Sequence, residues 1–242
     1  SNTAVGYESL KANTTGTGNT AVGKDALLDH TTGNYNTALG YASLYESTTG
    51  ANNTAVGASA SQNTTTGADN VAVGVNALLD HTTGNRNTAL GVSAGANLTT
   101  GDDNTAVGRA ALFTATTVSD LVAVGKNALY ANSSGTGNTG LGYEALTANT
   151  TAADNTAVGY LALTANTTGN YNTAVGKAAL DTNTTGTYNV AVGRRALDAN
   201  TTASYNVALG SSSLEANTTG AGNTGVGHNS LNANSTAADN TA

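Results

Sequence analysis

Three histidines, His30, His81 and His228, are the side chains of this chain best suited to bind a transition metal. His30 and His81 lie in identical Leu-Leu-Asp-His-Thr-Thr-Gly segments, whereas His228 has a different context. In the regular repeat described below, His30 and His81 are three coils apart, roughly 14 Å at the spacing of paired strands. That separation is too large for one metal ion. We therefore interpret the histidines as surface residues and predict no metal site.

Aspartates recur at one position of the repeat, and a carboxylate column of this kind could bind calcium. Only Asp103 and Asp120 fall in adjacent coils, and calcium needs more oxygen ligands than two carboxylates provide. A calcium ion there is the weaker alternative. No nucleophile, base and orienting group recur together, so we predict no enzymatic activity and no cofactor. The aspartates of the column are Asp69, Asp103, Asp120, Asp154 and Asp239.

Asparagines followed by x-Ser or x-Thr also recur at one position and are candidates for glycan attachment. We expect this position to be an accessible corner, which makes glycosylation feasible in a secretory host. The alternative, which we favour, is that Asn is used here because it suits a turn. The candidates are Asn13, Asn132, Asn149, Asn166, Asn183, Asn200, Asn217 and Asn234.

All of these residues belong to one unit, written fourteen times with a period of 17 and no insertion. We number the unit 1 to 17 from its Asn, as in Asn172 to Tyr188. Such self-similarity decides the architecture before any other signal. The invariant glycine of position 5 marks the register at Gly6, Gly23, Gly40, Gly57, Gly74, Gly91, Gly108, Gly125, Gly142, Gly159, Gly176, Gly193, Gly210 and Gly227.

Position 5 is always Gly and position 15 is Gly in ten copies, which indicates two corners in each unit. The segments between the corners are too short for stable helices. We therefore predict an all-β fold, in which each unit is a strand, corner, strand, corner coil of one parallel β-solenoid. The prediction is a single domain, 1–242, of fourteen 17-residue coils without capping coils.

Position 4 is always Val or Leu and position 9 is Leu in twelve copies, so we predict that these two columns form the core. Strand side chains alternate, which turns position 3 outward if positions 2 and 4 face inward. Position 3 never exceeds a methyl group, and we predict that this column contacts another chain. The alternative is that it packs under a loop or bend of its own coil. The candidate interface residues are Ala4, Ala21, Ala38, Ala55, Ala72, Ala89, Ala106, Ala123, Gly140, Ala157, Ala174, Ala191, Ala208 and Gly225.

Position 1 is Asn in thirteen units, with Leu121 as the exception, and stacked amides at strand spacing predict a hydrogen-bonded ladder. Positions 13 and 14 are always Thr or Ser, and we expect one of these columns to face inward and the other outward. The pattern weakens over residues 113–121, where Val118 replaces a corner glycine. If the solenoid bends or changes partner, we expect the change in that segment.

The net charge of −7 includes no basic stripe that could neutralise phosphates, so nucleic-acid binding is not expected. No apolar run approaches the length of a membrane span, and we predict no membrane insertion. Cysteine is absent, which excludes disulfides and thiolate metal sites. The chain begins at Ser1 without a signal-peptide pattern, so we interpret it as an internal or processed segment.

The segments Asn189-Val190-Ala191-Val192-Gly193 and Val122-Ala123-Val124-Gly125 resemble the Ser-Val-Ala-Ile-Gly-x-x-Ser motif of head repeats in trimeric autotransporter adhesins. Related arrays occur in phage-type tail fibres and bacterial surface fibres. The resemblance extends over all fourteen coils. It implies a left-handed parallel β-roll that trimerises through the Ala column on a cell or virion surface. The unit here is longer than that of the family, with the extra residues around the Thr-Thr-Gly corner.

These observations predict a non-catalytic structural rod of an extracellular fibre, an adhesin head or stalk or a tail-type fibre, assembled as a homotrimer. A host-surface glycan or protein is the expected external partner. One alternative is a self-stacking extracellular filament or matrix protein. A second alternative is an ice-binding β-solenoid, which requires at least two outward Thr columns on one flat face.

Overall fold

The computed structural model describes residues 1–242 and is all-β, with parallel strands and no helix. The predicted parallel β-solenoid is confirmed. The contacts divide the chain into two compact units, which we call the N-terminal unit, Ser1–Leu121, and the C-terminal unit, Val122–Ala242. The boundary falls at the end of the segment where the repeat pattern weakens. Each unit is described by itself below, and the single-domain expectation, the bend and the left hand stay predictions.

Each unit contains seven strands of three residues, one from every repeat. The strands of the N-terminal unit are β1 Thr3–Val5, β2 Thr20–Val22, β3 Thr37–Leu39, β4 Thr54–Val56, β5 Val71–Val73, β6 Thr88–Leu90 and β7 Thr105–Val107. Those of the C-terminal unit are β8 Val122–Val124, β9 Thr139–Leu141, β10 Thr156–Val158, β11 Thr173–Val175, β12 Val190–Val192, β13 Val207–Leu209 and β14 Thr224–Val226.

Within each unit, every strand pairs in parallel with the strand of the next repeat. Ala174 lies opposite Ala191 and Val175 opposite Val192, and the same register holds along the unit. Residues 17 apart are therefore direct neighbours in the sheet. The predicted stacking period is confirmed, and it places like residues in columns.

The second predicted strand of each coil, between the corners at positions 5 and 15, is absent. Positions 7 and 9 both adopt left-handed backbone conformations, as in Asp25 (φ 60°) and Leu27 (φ 51°). Left-handed conformations are unfavourable for side chains such as Leu, so the surrounding structure must hold them. It does so through hydrogen bonds between coils: the Leu27 amide donates to the Ser43 carbonyl at 3.0 Å, and the Asp25 amide to the Tyr7 carbonyl at 2.9 Å.

The interior of each coil is made of the Leu column of position 9 and the small columns of positions 3 and 8. Leu180, Ala174 and Ala179 are fully buried, and the same holds for most coils. Position 9 was correctly predicted as core. The predicted inward orientation of positions 2 and 4 is wrong, since Leu141 and Val192 of position 4 are 43% and 37% exposed.

Position 3 consequently faces inward. The predicted outward orientation of this column, on which the expected contact with another chain depended, is wrong. A Cβ placed on Gly140 would lie 3.3 Å from the Leu129 Cγ, which shows that this column packs directly against the Leu column. The column is held small because only a methyl group fits opposite Leu. Ala4, in the first strand, is the only exposed member; the buried members are Ala21, Ala38, Ala55, Ala72, Ala89, Ala106, Ala123, Gly140, Ala157, Ala174, Ala191, Ala208 and Gly225.

The invariant glycine of position 5 is required for two reasons. Gly176 has φ +133°, a conformation that side chains rarely adopt. A Cβ on Gly176 would also lie 2.7 Å from the carbonyl carbon and oxygen of Gly193 in the next coil. At this corner, therefore, the backbone of one coil stacks directly on the backbone of the next.

Enlarging the inward column should destabilise the solenoid, whereas the same residue on the surface should not. We expect Ala191→Leu to lower the unfolding free energy by about 1–3 kcal/mol or more, because the added atoms overpack the interior. Thr202→Leu, in the same coil at an exposed position, should change it by less than about 0.5 kcal/mol. Denaturant titrations measure both. Equal effects of the two variants would contradict the inward orientation of position 3.

Candidate functional site

The first polar feature of the interior is a ladder of buried asparagine amides at position 1, as predicted. In the N-terminal unit, the Asn19 Oδ1 accepts the Asn36 backbone N–H at 2.8 Å and the Asn36 Nδ2 at 3.2 Å. The Asn36 Nδ2 also donates to the Gly50 carbonyl at 2.8 Å. Each amide therefore joins two coils and closes its own coil. Pairing of this kind offsets the free-energy cost of burying a polar amide.

The C-terminal unit contains a second amide ladder at position 12, which the sequence reading missed. The Asn183 Nδ2 donates to the Asn166 Oδ1 at 3.0 Å and to the Gly186 carbonyl at 3.0 Å. Its Oδ1 accepts the Asn200 Nδ2 at 2.9 Å. The Gly186 carbonyl also accepts the Asn172 Nδ2 of the first ladder at 2.8 Å. The carbonyl of position 15 therefore links the two ladders.

The asparagines of this ladder are those proposed as accessible glycan sites, and the expected accessibility is wrong for most of them. Their side chains are fully buried because the amides point into the coil, where both amide atoms are hydrogen-bonded. Asn13 and Asn234, in the first and last complete coils, are partly exposed. The buried members are Asn132, Asn149, Asn166, Asn183, Asn200 and Asn217.

In the N-terminal unit, position 12 varies in residue type and includes two histidines. His30 and His81 are fully buried, so the prediction that they are surface residues is wrong. The His30 Nε2 lies 2.8 Å from the Gly33 carbonyl, the contact that Asn makes at this position in the other unit. The prediction failed because these histidines replace an inward amide. His228, at position 6, is exposed as predicted.

The His81 imidazole lies in an almost uncharged interior. Its Nδ1 is 3.3 Å from the Thr64 Oγ1 and its Nε2 is 3.2 Å from the Asn87 Nδ2. Burial lowers the pKa of His81 to about 4, and this effect outweighs the opposing influence of the Asp102 carboxylate. His81 is therefore neutral in the folded protein at neutral pH.

The Thr and Ser columns of positions 13 and 14 both lie at the surface, so the expected inward column is not found. Position 13 is half-buried in most coils, and its hydroxyl donates to the carbonyl of position 13 in the next coil, as Thr184 does to Thr201 at 3.0 Å. Position 14 is exposed in nearly every coil, as at Thr185 and Thr202. The inward place that we assigned to one of these columns is taken by position 12.

The outward side chains of the strands form an uncharged and largely apolar surface in each unit, which we call the outer strip. It consists of position 2, Thr or Val, and position 4, Val or Leu, and it includes no charged residue. In the C-terminal unit, Val122 is 39% exposed, Leu141 43%, Val192 37% and Leu209 38%. All-parallel sheets are normally covered on both faces, so a bare apolar face of this kind is unusual. It is the strongest candidate interaction surface of the molecule.

Charged and aromatic columns at positions 6 and 17 border the outer strip. Tyr171, Tyr188 and Tyr205 stack at position 17, with neighbouring ring centroids 4.8 and 5.3 Å apart. Tyr143 and Tyr160 stack at position 6, with centroids 5.1 Å apart. These contacts agree with the regular spacing of surface columns, which brings like side chains together in adjacent coils.

Asp103, half of the pair considered for calcium, is bound to an arginine instead. Its carboxylate accepts the Arg86 Nε at 2.7 Å and a terminal guanidinium nitrogen at 2.8 Å. The Arg86 hydrogen bond lowers the pKa of Asp103. The structure contains no group of three or more His, Asp or Glu side chains arranged to hold a metal.

A scan against family models and a search of curated proteins gave no match to this chain. The structure contains no helix with the length and apolar character needed to cross a lipid bilayer.

Removing one amide of the second ladder should be costly. We expect Asn183→Ala to lower the unfolding free energy by about 2–4 kcal/mol, because it removes three buried hydrogen bonds and leaves their partners without one contact each. Thr185→Ala, on the exposed column two residues away, is the matched control and should change it by less than about 0.5 kcal/mol. Urea titrations monitored by circular dichroism distinguish the two. If Asn183→Ala unfolded at the same urea concentration as the wild type, the stabilising role of the second ladder would be contradicted.

The low pKa of His81 should make stability depend on pH. The unfolded state takes up a proton near pH 6.5 and the folded state near pH 4, so the contribution is complete above 6.5 and is lost as the pH falls towards 4. Between pH 7 and 5 we expect a loss of about 2 kcal/mol. His81→Asn, which introduces the residue of the second ladder, should remove that part of the pH dependence in denaturant titrations. An unchanged pH dependence in His81→Asn would contradict the assignment.

Proposed function

We propose that this protein is a non-catalytic structural element of an extracellular fibre, at a cell or virion surface, and that it self-associates through the outer strip as a homotrimer. The observation that carries the proposal is the exposed apolar face of the parallel strands. Host-surface glycans or proteins are the proposed external partners of such a fibre.

The composition of the outer strip supports a second copy of the chain as its occupant. Val and Leu at position 4 and Thr or Val at position 2 recur at one fixed spacing, so two copies present identical, matching rows. No charge interrupts the strip, and burying its apolar area is favourable at about 25 cal/mol per Å². Each unit has seven strands, so the same small contact would recur several times along the interface.

The trimeric state is supported by the motif resemblance, and not only by the apolar area that association would bury. The Val-Ala-Val-Gly segments, such as Val190-Ala191-Val192-Gly193, resemble repeats of trimeric fibres. In this chain the Ala is the inward residue and the two β-branched residues that flank it face outward. The proposed interface is therefore formed by positions 2 and 4 and not by the Ala column of the sequence-based prediction.

The Thr columns favour self-association over ice binding as the function. Ice binding by these columns requires two outward rows of hydroxyls on one flat face. Position 13 instead uses its hydroxyls between coils, as Thr184 does with Thr201. Of these two columns, only position 14 presents an exposed row of hydroxyls.

Charges on the outer strip should prevent assembly. We expect the full chain to sediment as a trimer, and the double variant Val192→Glu, Leu209→Glu to sediment as a monomer, because association would bury carboxylates without partners. Thr185→Glu, Thr202→Glu adds the same charge to the exposed position 14 column and should remain trimeric. Analytical ultracentrifugation measures the mass, and far-UV circular dichroism confirms the fold of each variant. A monomeric wild-type chain would refute the trimer.

A further inference from the structure

The exposed tyrosines of the C-terminal unit are arranged as a stacked column, and nothing in the structural role of the chain requires them. Tyr171, Tyr188 and Tyr205 occupy position 17 in three consecutive coils. The rings of Tyr171 and Tyr188 are 17° from parallel, and those of Tyr188 and Tyr205 are 4° from parallel. The side chains are 48%, 48% and 64% exposed, so solvent and small reagents reach them.

The composition of the chain directs oxidation to these residues. Cysteine and methionine, which are readily oxidised in proteins, are both absent, and so is tryptophan. The ten tyrosines are the remaining electron-rich side chains. A one-electron oxidant that meets this protein therefore removes electrons from tyrosine.

We propose that the Tyr171, Tyr188 and Tyr205 column is a site of oxidative cross-linking, in which neighbouring rings join as dityrosine and covalently link adjacent coils. Each phenol loses one electron and its hydroxyl proton to give a phenoxyl radical. Two radicals then form a carbon–carbon bond between ring carbons ortho to the oxygens, and the ring hydrogens move to those oxygens as aromaticity returns. Hydrogen peroxide accepts the two electrons and two protons and is reduced to two waters, with a peroxidase as catalyst.

The stacked geometry favours coupling within the chain. The backbone register of the coils fixes the separation of neighbouring rings at 4.8 and 5.3 Å, so a second radical forms beside the first without diffusion. Exposed side chains can tilt from the parallel stack into the bonding geometry. Tyr35, in the same column of the N-terminal unit, is 68% exposed but has Gly18 and Asn52 in the adjacent coils, so it has no ring to couple with.

The Tyr143–Tyr160 stack at position 6 differs from the position 17 column because lysine side chains lie close to its rings. Lys126 lies 5.1 Å from the Tyr143 ring centroid and Lys177 lies 5.5 Å from the Tyr160 centroid. A cation over a ring is attracted by the ring's electrons and opposes their removal. We therefore expect the Tyr143–Tyr160 pair to couple less than the position 17 column.

The experiment treats the full folded chain with peroxidase and hydrogen peroxide, followed by trypsin and mass spectrometry. Cleavage after Lys177, Arg194 and Arg195 places Tyr171, Tyr188 and Tyr205 in three different peptides. We expect joined peptides that contain Tyr188 with Tyr205 or with Tyr171, lighter by two hydrogens than the separate peptides together. Dityrosine fluorescence should rise in parallel.

Two variants separate this site from general tyrosine oxidation. Tyr188→Phe keeps an aromatic ring in the stack but removes the central phenol, and both joined peptides should be lost. Tyr35→Phe should leave their yield unchanged. The yield should be independent of protein concentration and should fall when the chain is unfolded in urea before oxidation. Joined peptides that disappear on dilution, or that involve Tyr35 as often as Tyr188, would overturn the proposal.

Discussion

The structure depends on one constraint: every buried amide must find its partner on the residue 17 positions away. An asparagine side chain that lost this partner would leave donors and acceptors unpaired in a water-free interior, at about 1–3 kcal/mol each. The Asn172 Oδ1, for example, accepts the backbone N–H of Asn189 at 3.0 Å. A deletion or insertion of one residue would move this oxygen away from its donor in every coil that follows. The absence of any insertion in the repeats is thus a physical requirement of the ladder.

The same constraint explains why the interior can be so small. Each coil buries little more than one Leu and two methyl-sized residues, such as Leu180 with Ala174 and Ala179. A core of that size would not hold 17 residues in place alone, so the hydrogen bonds between coils supply much of the order. The left-handed conformations at positions 7 and 9, unfavourable in isolation, are maintained because their amides bond to neighbouring coils. The amide ladders and the backbone bonds therefore act together along each unit.

The period, the parallel solenoid, the Leu column and the first amide ladder could be predicted from the sequence, because each follows from strict recurrence. The direction of the strand side chains could not. We placed Val and Leu of position 4 inside because they are apolar, yet Val192 is outside and Ala191 is inside. Alternation allows two solutions, and hydrophobicity selects the wrong one when an outward face is itself apolar. The signal that decides between them was the strict smallness of position 3, which reflects the space opposite Leu.

The burial of position 12 was missed because an Asn in a Thr-rich corner has the same appearance in sequence whether it caps a turn or joins a ladder.

The two units share one backbone arrangement but differ in the side chains at the buried position 12. In the C-terminal unit, position 12 is an unbroken row of amides, as from Asn132 to Asn234, whereas the N-terminal unit has imidazole, hydroxyl and aliphatic groups at the same place. The N-terminal unit thus has a buried group that responds to pH, His81, and the C-terminal unit has none in its ladder. The outer strip, by contrast, has Val or Leu at every position 4 in both units. An outward row that stays constant while a buried column varies is the arrangement expected when that row must match another surface. That contrast supports the proposal that the outer strip is an interaction surface.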